Sequence, residues 1–179
     1  MNRRNMKIQG PVFWPPGDIY FGTGASVISE CLREAGVQKE YYFMNLDRHT
    51  LRAFIRDFPG FRHDNVIIIC SRRLLPLAFF WLKESKRVRA VFESSVSVKK
   101  IIQVLRDAGN DKPLPFTVRA ASRTLSIQDL VMLRDYIEEG NMAALQRKYR
   151  CSSSTIYRRK MIIAKKFSVR KLAHVFSLR

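Results

Sequence analysis

Acidic residues stop at Glu139. From Gly140 to Arg179 the chain has no Asp or Glu but eleven Lys or Arg, so this segment supplies +11 of a formal net charge of +18. A block of one sign repels itself unless a polyanion neutralises it, which argues against an ordinary mixed-sign solvated surface and favours nucleic acid as the partner. Cysteine is also scarce. Cys31, Cys70 and Cys151 lie far apart with no CxxC or Cys/His spacing, which excludes a disulfide framework and a zinc motif and fits a reducing cytoplasm. His49, His63 and His174 are isolated, and no Ser/His/Asp or Cys/His grouping is visible. The expectation is therefore no catalytic residue, no cofactor, no metal and no enzymatic activity. Long apolar runs are missing too: the longest, Leu74 to Leu82, is followed by Lys83 and falls far short of the roughly 20 residues that span a bilayer. Met1 to Gly10 carries basic charge with no apolar stretch after it, unlike a signal peptide. A cytoplasmic protein is expected, nucleoid-associated when on DNA, with no membrane partner.

What is present is enough apolar material for a core, 46% of 179 residues, arranged in a βα rhythm. Strand-like runs at Ile19–Phe21, Tyr41–Leu46, Val66–Cys70 and Val88–Phe92 alternate with helical ones at Ala25–Ala35, Arg48–Phe58, Leu74–Lys86 and Ser97–Ala108. Val66-Ile-Ile-Ile-Cys70 is continuously apolar, as a parallel strand covered on both faces should be. Gly36, Gly60 and Gly109 end three helical stretches, where a left-handed cap suits glycine. A small α/β sandwich of about four strands is expected over 18–108. Residues 1–17 form an arm in this reading; its Phe13-Trp-Pro-Pro16 is either a rigid arm for a partner or a strap over the core. Gly22-Thr-Gly24 after the first strand reads as a turn, since the Lys-Ser/Thr of a phosphate loop is missing. The apolar stretch holding Phe79, Phe80 and Trp81 reads as core, with a partner-binding face as the alternative.

Prolines and turn formers break the rhythm over 109–124, which reads as a linker. Beyond it the period is helical. Ser126 and Asp129 form a capping box, and Leu130, Leu133 and Ile137 share the face of a helix ending near Gly140. Asn141 caps a second helix with Leu145 and Tyr149 inward. Ser152 caps a third, with Ile156, Ile163 and Phe167 inward. The tight Arg150-Cys-Ser152 turn between the last two is that of a helix-turn-helix, so 125–179 is expected to be a DNA-binding domain. Its third helix carries Arg158, Arg159, Lys160, Lys165 and Lys166.

Leu125-Ser126, Leu133, Gly140, Leu145, Tyr149, Cys151-Ser152 and Thr155-Ile156 through Lys166-Phe167 follow the order of the LuxR-type DNA-binding domain. Tyr149 and Cys151 stand where leucine and isoleucine are usual, and the Gly140–Leu145 interval is one residue short. Over most of the chain, Phe13-Trp-Pro-Pro-Gly-Asp-Ile-Tyr-Phe-Gly22, Arg73–Leu82 with Ala90-Val-Phe92, and Ser152–Arg158 with Ala164–Phe167 resemble the TviA family of Vi capsular polysaccharide regulators. That resemblance implies a transcription regulator of capsule genes acting with an Rcs-type response regulator. The βα half resembles a response-regulator receiver that has lost strands and chemistry. The fold class expected is thus α/β: a small receiver-like parallel-sheet sandwich followed by an all-α helix-turn-helix domain. Of the acidic set that holds Mg²⁺ and accepts the phosphoryl group, only Asp47 is in place, and it reads as a strand-end cap for the helix from Arg48 rather than an acceptor.

By position, Ser153, Ser154, Tyr157, Arg158 and Met161 are expected to meet base edges of double-stranded promoter DNA, and Thr155, Arg159, Lys160 and Lys165 to meet phosphates. Arg147, Lys148 and Arg150 are further backbone contacts or solvated charges. Arg170 and Lys171 cap the third helix by charge or meet phosphate. A LuxR-type domain implies a homodimer or heterodimer on DNA. The rival function is a co-regulator that binds a response regulator and alters its promoter choice, with no specific DNA readout of its own. An RNA-binding role is disfavoured, because no motif of stacking aromatics appears.

Overall fold

The computed structural model describes residues 13–108 and 124–177. Four strands, β1 (Phe13–Trp14), β2 (Tyr42–Leu46), β3 (Val66–Cys70) and β4 (Val88–Glu93), form one parallel sheet in the order β1-β2-β3-β4. Helices α1 (Ile19–Glu34), α2 (Leu51–Asp57), α3 (Leu75–Glu84) and α4 (Val98–Asp107) cover its two faces. The helical half follows with α5 (Ile127–Glu139), α6 (Met142–Tyr149) and α7 (Ser153–Lys166), then a 3₁₀ turn at Leu172–Val175.

Alternation along the strands sorts the core into two layers. Phe43, Ile67, Ala90 and Phe92 face α1 and α4, meeting Ala25, Ile28, Leu32, Ile101 and Leu105. Tyr42, Met44, Leu46, Ile68 and Cys70 face α2 and α3, meeting Leu51, Phe54, Ile55, Leu77 and Phe80. The second layer runs on without a break into the core of the helical half. There α2 packs against α5, and the Arg52 guanidinium lies 5.2 Å from the centre of the Phe176 ring.

The sheet steps in one direction from β1 to β4, yet α1 lies on the face opposite α2 and α3. The first crossover therefore has the opposite hand from the other two. A βαβ crossover is right-handed in about 98% of cases, so one of the two hands here is the rare one. A strand on the outer side of β1 would restore a common hand, so the described residues look like a doubly wound sheet without that one strand.

The first strand is not where the sequence suggests. Ile19-Tyr-Phe21 is the first turn of α1: Asp18 is its N-cap, and the Phe21 amide donates to Asp18 Oδ1 at 2.9 Å. The cap satisfies an amide that a strand would need a neighbour for, and Ala25, Ile28 and Leu32 then fall on one buried face. Phe13–Trp14 takes the strand position instead, so this part of the Phe-Trp-Pro-Pro segment lies on the core, with the Trp14 and Phe54 ring centres 6.0 Å apart. Gly22 and Gly24 are helical rather than a turn. Gly22 is buried, and a Cβ there would overlap the Phe13 ring. Gly36 has the left-handed φ of 80° expected of a helix end, whereas Gly60 sits in a 3₁₀ turn without one; Gly109 and the rest of the linker to residue 123 lie outside the described residues.

The helix after β2 starts at Leu51, three residues later than the sequence suggests. Asp47 Oδ1 accepts the amides of His49 (2.8 Å) and Thr50 (2.9 Å), holding the intervening turn at the strand end. The Leu74–Leu82 stretch is core: Leu74, Leu75, Leu77, Ala78 and Phe80 are buried, and Phe79 and Trp81 are half-buried against them.

Candidate nucleic-acid interface

The helical half is built from caps. Ser126 and Asp129 exchange side chain-to-backbone bonds at the start of α5, and Gly140, at a φ of 69°, ends it in the left-handed region. Asn141 Oδ1 accepts the Ala144 amide at 2.8 Å to start α6. Arg150, with a φ of 48°, ends α6 and turns the chain. Ser152 Oγ accepts the Thr155 amide at 3.3 Å to start α7. Leu133, Leu145, Ile156, Ile163, Ala164 and Phe167 close the core between the three helices. The expected helix-turn-helix arrangement of caps and inward residues is observed.

Asp135 is a charged group inside this core, 2% exposed. It accepts from Tyr149 Oη at 2.6 Å and from Lys148 Nζ at 2.9 Å, tying α5 to the end of α6. Burial alone would raise the Asp135 pKa; the bonds from Tyr149 and Lys148, with the Lys148 charge, outweigh it and hold the carboxyl below its ordinary value. Burial and the same bond push the Tyr149 hydroxyl up. Lys148, left open above between phosphate contact and solvated charge, is an ion-pair partner of Asp135.

With 3.6 residues per turn, the inward stripe of Ile156, Ile163 and Phe167 leaves Ser154, Arg158, Met161 and Lys165 on the opposite face of α7, all exposed. Ser153 and Tyr157 are exposed beside them, while Thr155 and Lys160 are half-buried. The five cations of α7 divide into two groups. Arg159 lies 5.6 Å from the centre of the Tyr149 ring, and Lys160 Nζ 4.4 Å from that of Tyr136; burial lowers the Lys160 pKa. Lys166 donates to Asp129 Oδ2 at 2.6 Å and to the Thr124 carbonyl at 3.2 Å, bracing the end of α7 on the start of α5. These three hold the helix to its neighbours. Arg158 and Lys165 stand on the outward face.

Ile162, 51% exposed, went unnoticed in the sequence beside its buried neighbour Ile163. With Met161 and Val169 it floors a shallow hollow of about 520 Å³, walled by Arg158, Lys165 and Arg170. Signals for this were weak, because the inward stripe alone does not say that a second apolar group lies outside it.

In the α/β half, two carboxylates near the strand ends, Asp18 and Asp47, are already engaged. Asp18 Oδ2 accepts from Asn45 Nδ2 at 2.9 Å, and Asp47 holds its two amides. Among the described residues, no three His, Cys, Asp or Glu side chains come together as a metal site would need. No described helix is long and apolar enough to cross a membrane.

Known proteins place these features in a family. The model of the EcpR N-terminal domain matches residues 3–108. The Vi polysaccharide biosynthesis protein TviA of Salmonella typhi is 37% identical over 161 residues, covering 89% of this chain and 90% of that protein. Among solved structures, the two-component response regulator RcsB in complex with DNA aligns at 14% identity with a TM-score of 0.42, covering 84% of this chain and 82% of that one. RcsB from Salmonella enterica serovar Typhimurium bound to promoter rprA aligns at 15% identity with a TM-score of 0.34, covering 79% and 80%. With the domain match spanning the α/β half and the TviA likeness running through nine-tenths of both proteins, this chain belongs to the EcpR N-terminal domain family and is a relative of TviA.

Proposed function

We propose that the protein is a DNA-binding transcription regulator of capsular, Vi-type polysaccharide genes, not an enzyme, and that α7 reads promoter DNA. The observation that carries this reading is the outward face of α7. It presents Arg158 and Lys165 on a capped helix of a helix-turn-helix, in a forty-residue segment with no acidic residue. The name of TviA, a Vi polysaccharide biosynthesis protein, supports the gene class. Residues 125–179 act as the DNA-binding unit, 18–108 as a receiver-like unit, 109–124 as the linker and 1–17 as an arm that includes β1. Ser153, Ser154, Tyr157, Arg158 and Met161 meet bases, and Thr155 and Lys165 meet phosphates. Arg159 and Lys160 reach phosphate only from their seats on Tyr149 and Tyr136, so they contribute less than Lys165. An Rcs-type response regulator is the proposed partner, and two copies or a mixed pair sit on DNA. The protein works in the cytoplasm, on the nucleoid when bound.

Fluorescence anisotropy on a capsule-operon promoter and a scrambled duplex, across salt, tests this. The native protein is expected to prefer the promoter by tenfold or more, about 1.4 kcal/mol, with affinity falling steeply as salt rises. Arg158→Ala is expected to remove the preference. Equal binding of both duplexes until the response regulator is added would replace direct reading by the co-regulator role.

A further inference from the structure

Three exposed apolar side chains on α7 are out of place on a helix that only meets phosphate. Tyr157 is 56% exposed, Met161 38% and Ile162 51%. Met161 lies at the centre of the outward face, one turn beyond Tyr157 and Arg158 and one turn before Lys165. Beside it, the hollow of about 520 Å³ has an apolar floor and cationic walls. Helix α7 has no acidic residue, so this face suits an anion that also carries apolar groups. In the major groove the bulky apolar group on a base edge is the thymine C5-methyl, the group that apolar side chains contact there.

We infer that this face reads thymine methyl groups: Met161 and Tyr157 pack on the methyls of thymines flanking the base pair that Arg158 meets, an inference that rests on the DNA-reading role proposed above. Tyr157 and Met161 are four residues apart, about 6 Å along the helix axis. That is roughly two base-pair steps of 3.4 Å. Arg158 lies between them in sequence, and arginine pairs best with guanine O6 and N7. The favoured element is therefore a guanine with thymines within about two base pairs. Ile162 and Val169 continue the apolar floor on one side of Met161, and Lys165 and Arg170 hold the phosphates around it.

The test replaces thymine by deoxyuridine in the promoter duplex that the protein prefers, one position at a time. This removes the methyl and leaves every base-pair hydrogen bond in place. Each read methyl is expected to be worth about fourfold in affinity, the value of one buried methyl-sized group. The loss should vanish for Met161→Ala at the positions that Met161 covers. Met161 is a surface residue, so this variant keeps its core, and native-like circular dichroism is the control. Retained promoter preference with no effect of deoxyuridine would overturn the methyl reading alone, leaving the apolar patch to a protein partner. A deoxyuridine loss equal in the native protein and Met161→Ala would overturn the assignment to this face. No promoter preference at all would overturn the inference together with the direct-reading role.

Discussion

Removing the charge at Asp135 should loosen the helix-turn-helix in a way that depends on pH. The carboxylate is 2% exposed and holds Tyr149 Oη at 2.6 Å and Lys148 Nζ at 2.9 Å. A hydrogen bond to a charged group contributes about 1.5–3 kcal/mol. Tyr149→Phe deletes one such bond and keeps the ring under Arg159, so a loss of about 1.5–2 kcal/mol is expected. Asp135→Ala strands the Tyr149 hydroxyl and opens a small void, for about 3 kcal/mol. Asp135→Asn still accepts from Tyr149 but without charge, which roughly halves the bond and costs about 1 kcal/mol. Urea unfolding followed by circular dichroism measures all three. The sign with pH follows from the depressed carboxyl. Its stabilising contribution is present above the ordinary Asp value of 3.8 and is lost as pH falls through the lower folded value. The gap between the native protein and Asp135→Asn should therefore be flat at neutral pH and close below about pH 4. An Asn variant as stable as the native protein, or a gap that persists in acid, would refute the account.

Gly22→Ala drives a Cβ into the Phe13 ring and should cost about 1–3 kcal/mol, whereas Gly24→Ala, with open space around it, should stabilise α1 by about 0.5–1 kcal/mol; thermal denaturation of the pair checks both. Asp47→Ala should cost about 1 kcal/mol by freeing two amides at a strand end, with promoter affinity by anisotropy unchanged in the presence of a phosphoryl donor. Cys70 is buried, and burial with the nearby Glu93 charge pushes its thiol up to about 12. Iodoacetamide at mildly alkaline pH should thus label half-buried Cys31 and Cys151 well before Cys70, as read by mass spectrometry.

Local signals in the sequence account for most of the helical half. Ser126 with Asp129, Gly140, Asn141 and Ser152 each act within four residues of themselves, and the inward stripe of α7 follows from a single period. The parallel strands from Tyr42 onward were equally legible, because β3 is continuously apolar and β2 and β4 are rich in β-branched and aromatic residues bounded by turn formers. The start of the chain was not. Ile19-Tyr-Phe21 has the side chains of a strand, and the capping carboxylate of Asp18, the packing of Gly22 on Phe13 and the buried face of Ala25, Ile28 and Leu32 turn it into a helix. Along α7 the five cations look alike in sequence. The rings of Tyr149 and Tyr136 and the carboxylate of Asp129, brought in from other helices, set Arg159, Lys160 and Lys166 apart from Arg158 and Lys165.

The shortness of β1 bears on how the protein behaves at high concentration. An open sheet recruits stray strands along whichever edge offers a run of free amides and carbonyls, and this is a common start of aggregation. Among the described residues the β1 edge is two residues long and is followed by Pro15 and Pro16, whose nitrogens have no hydrogen to donate. At the other end of the sheet, β4 carries Arg89 and Glu93. Neither edge, among the described residues, offers a long, uncharged template, so this α/β half is built to resist joining its neighbours into fibres.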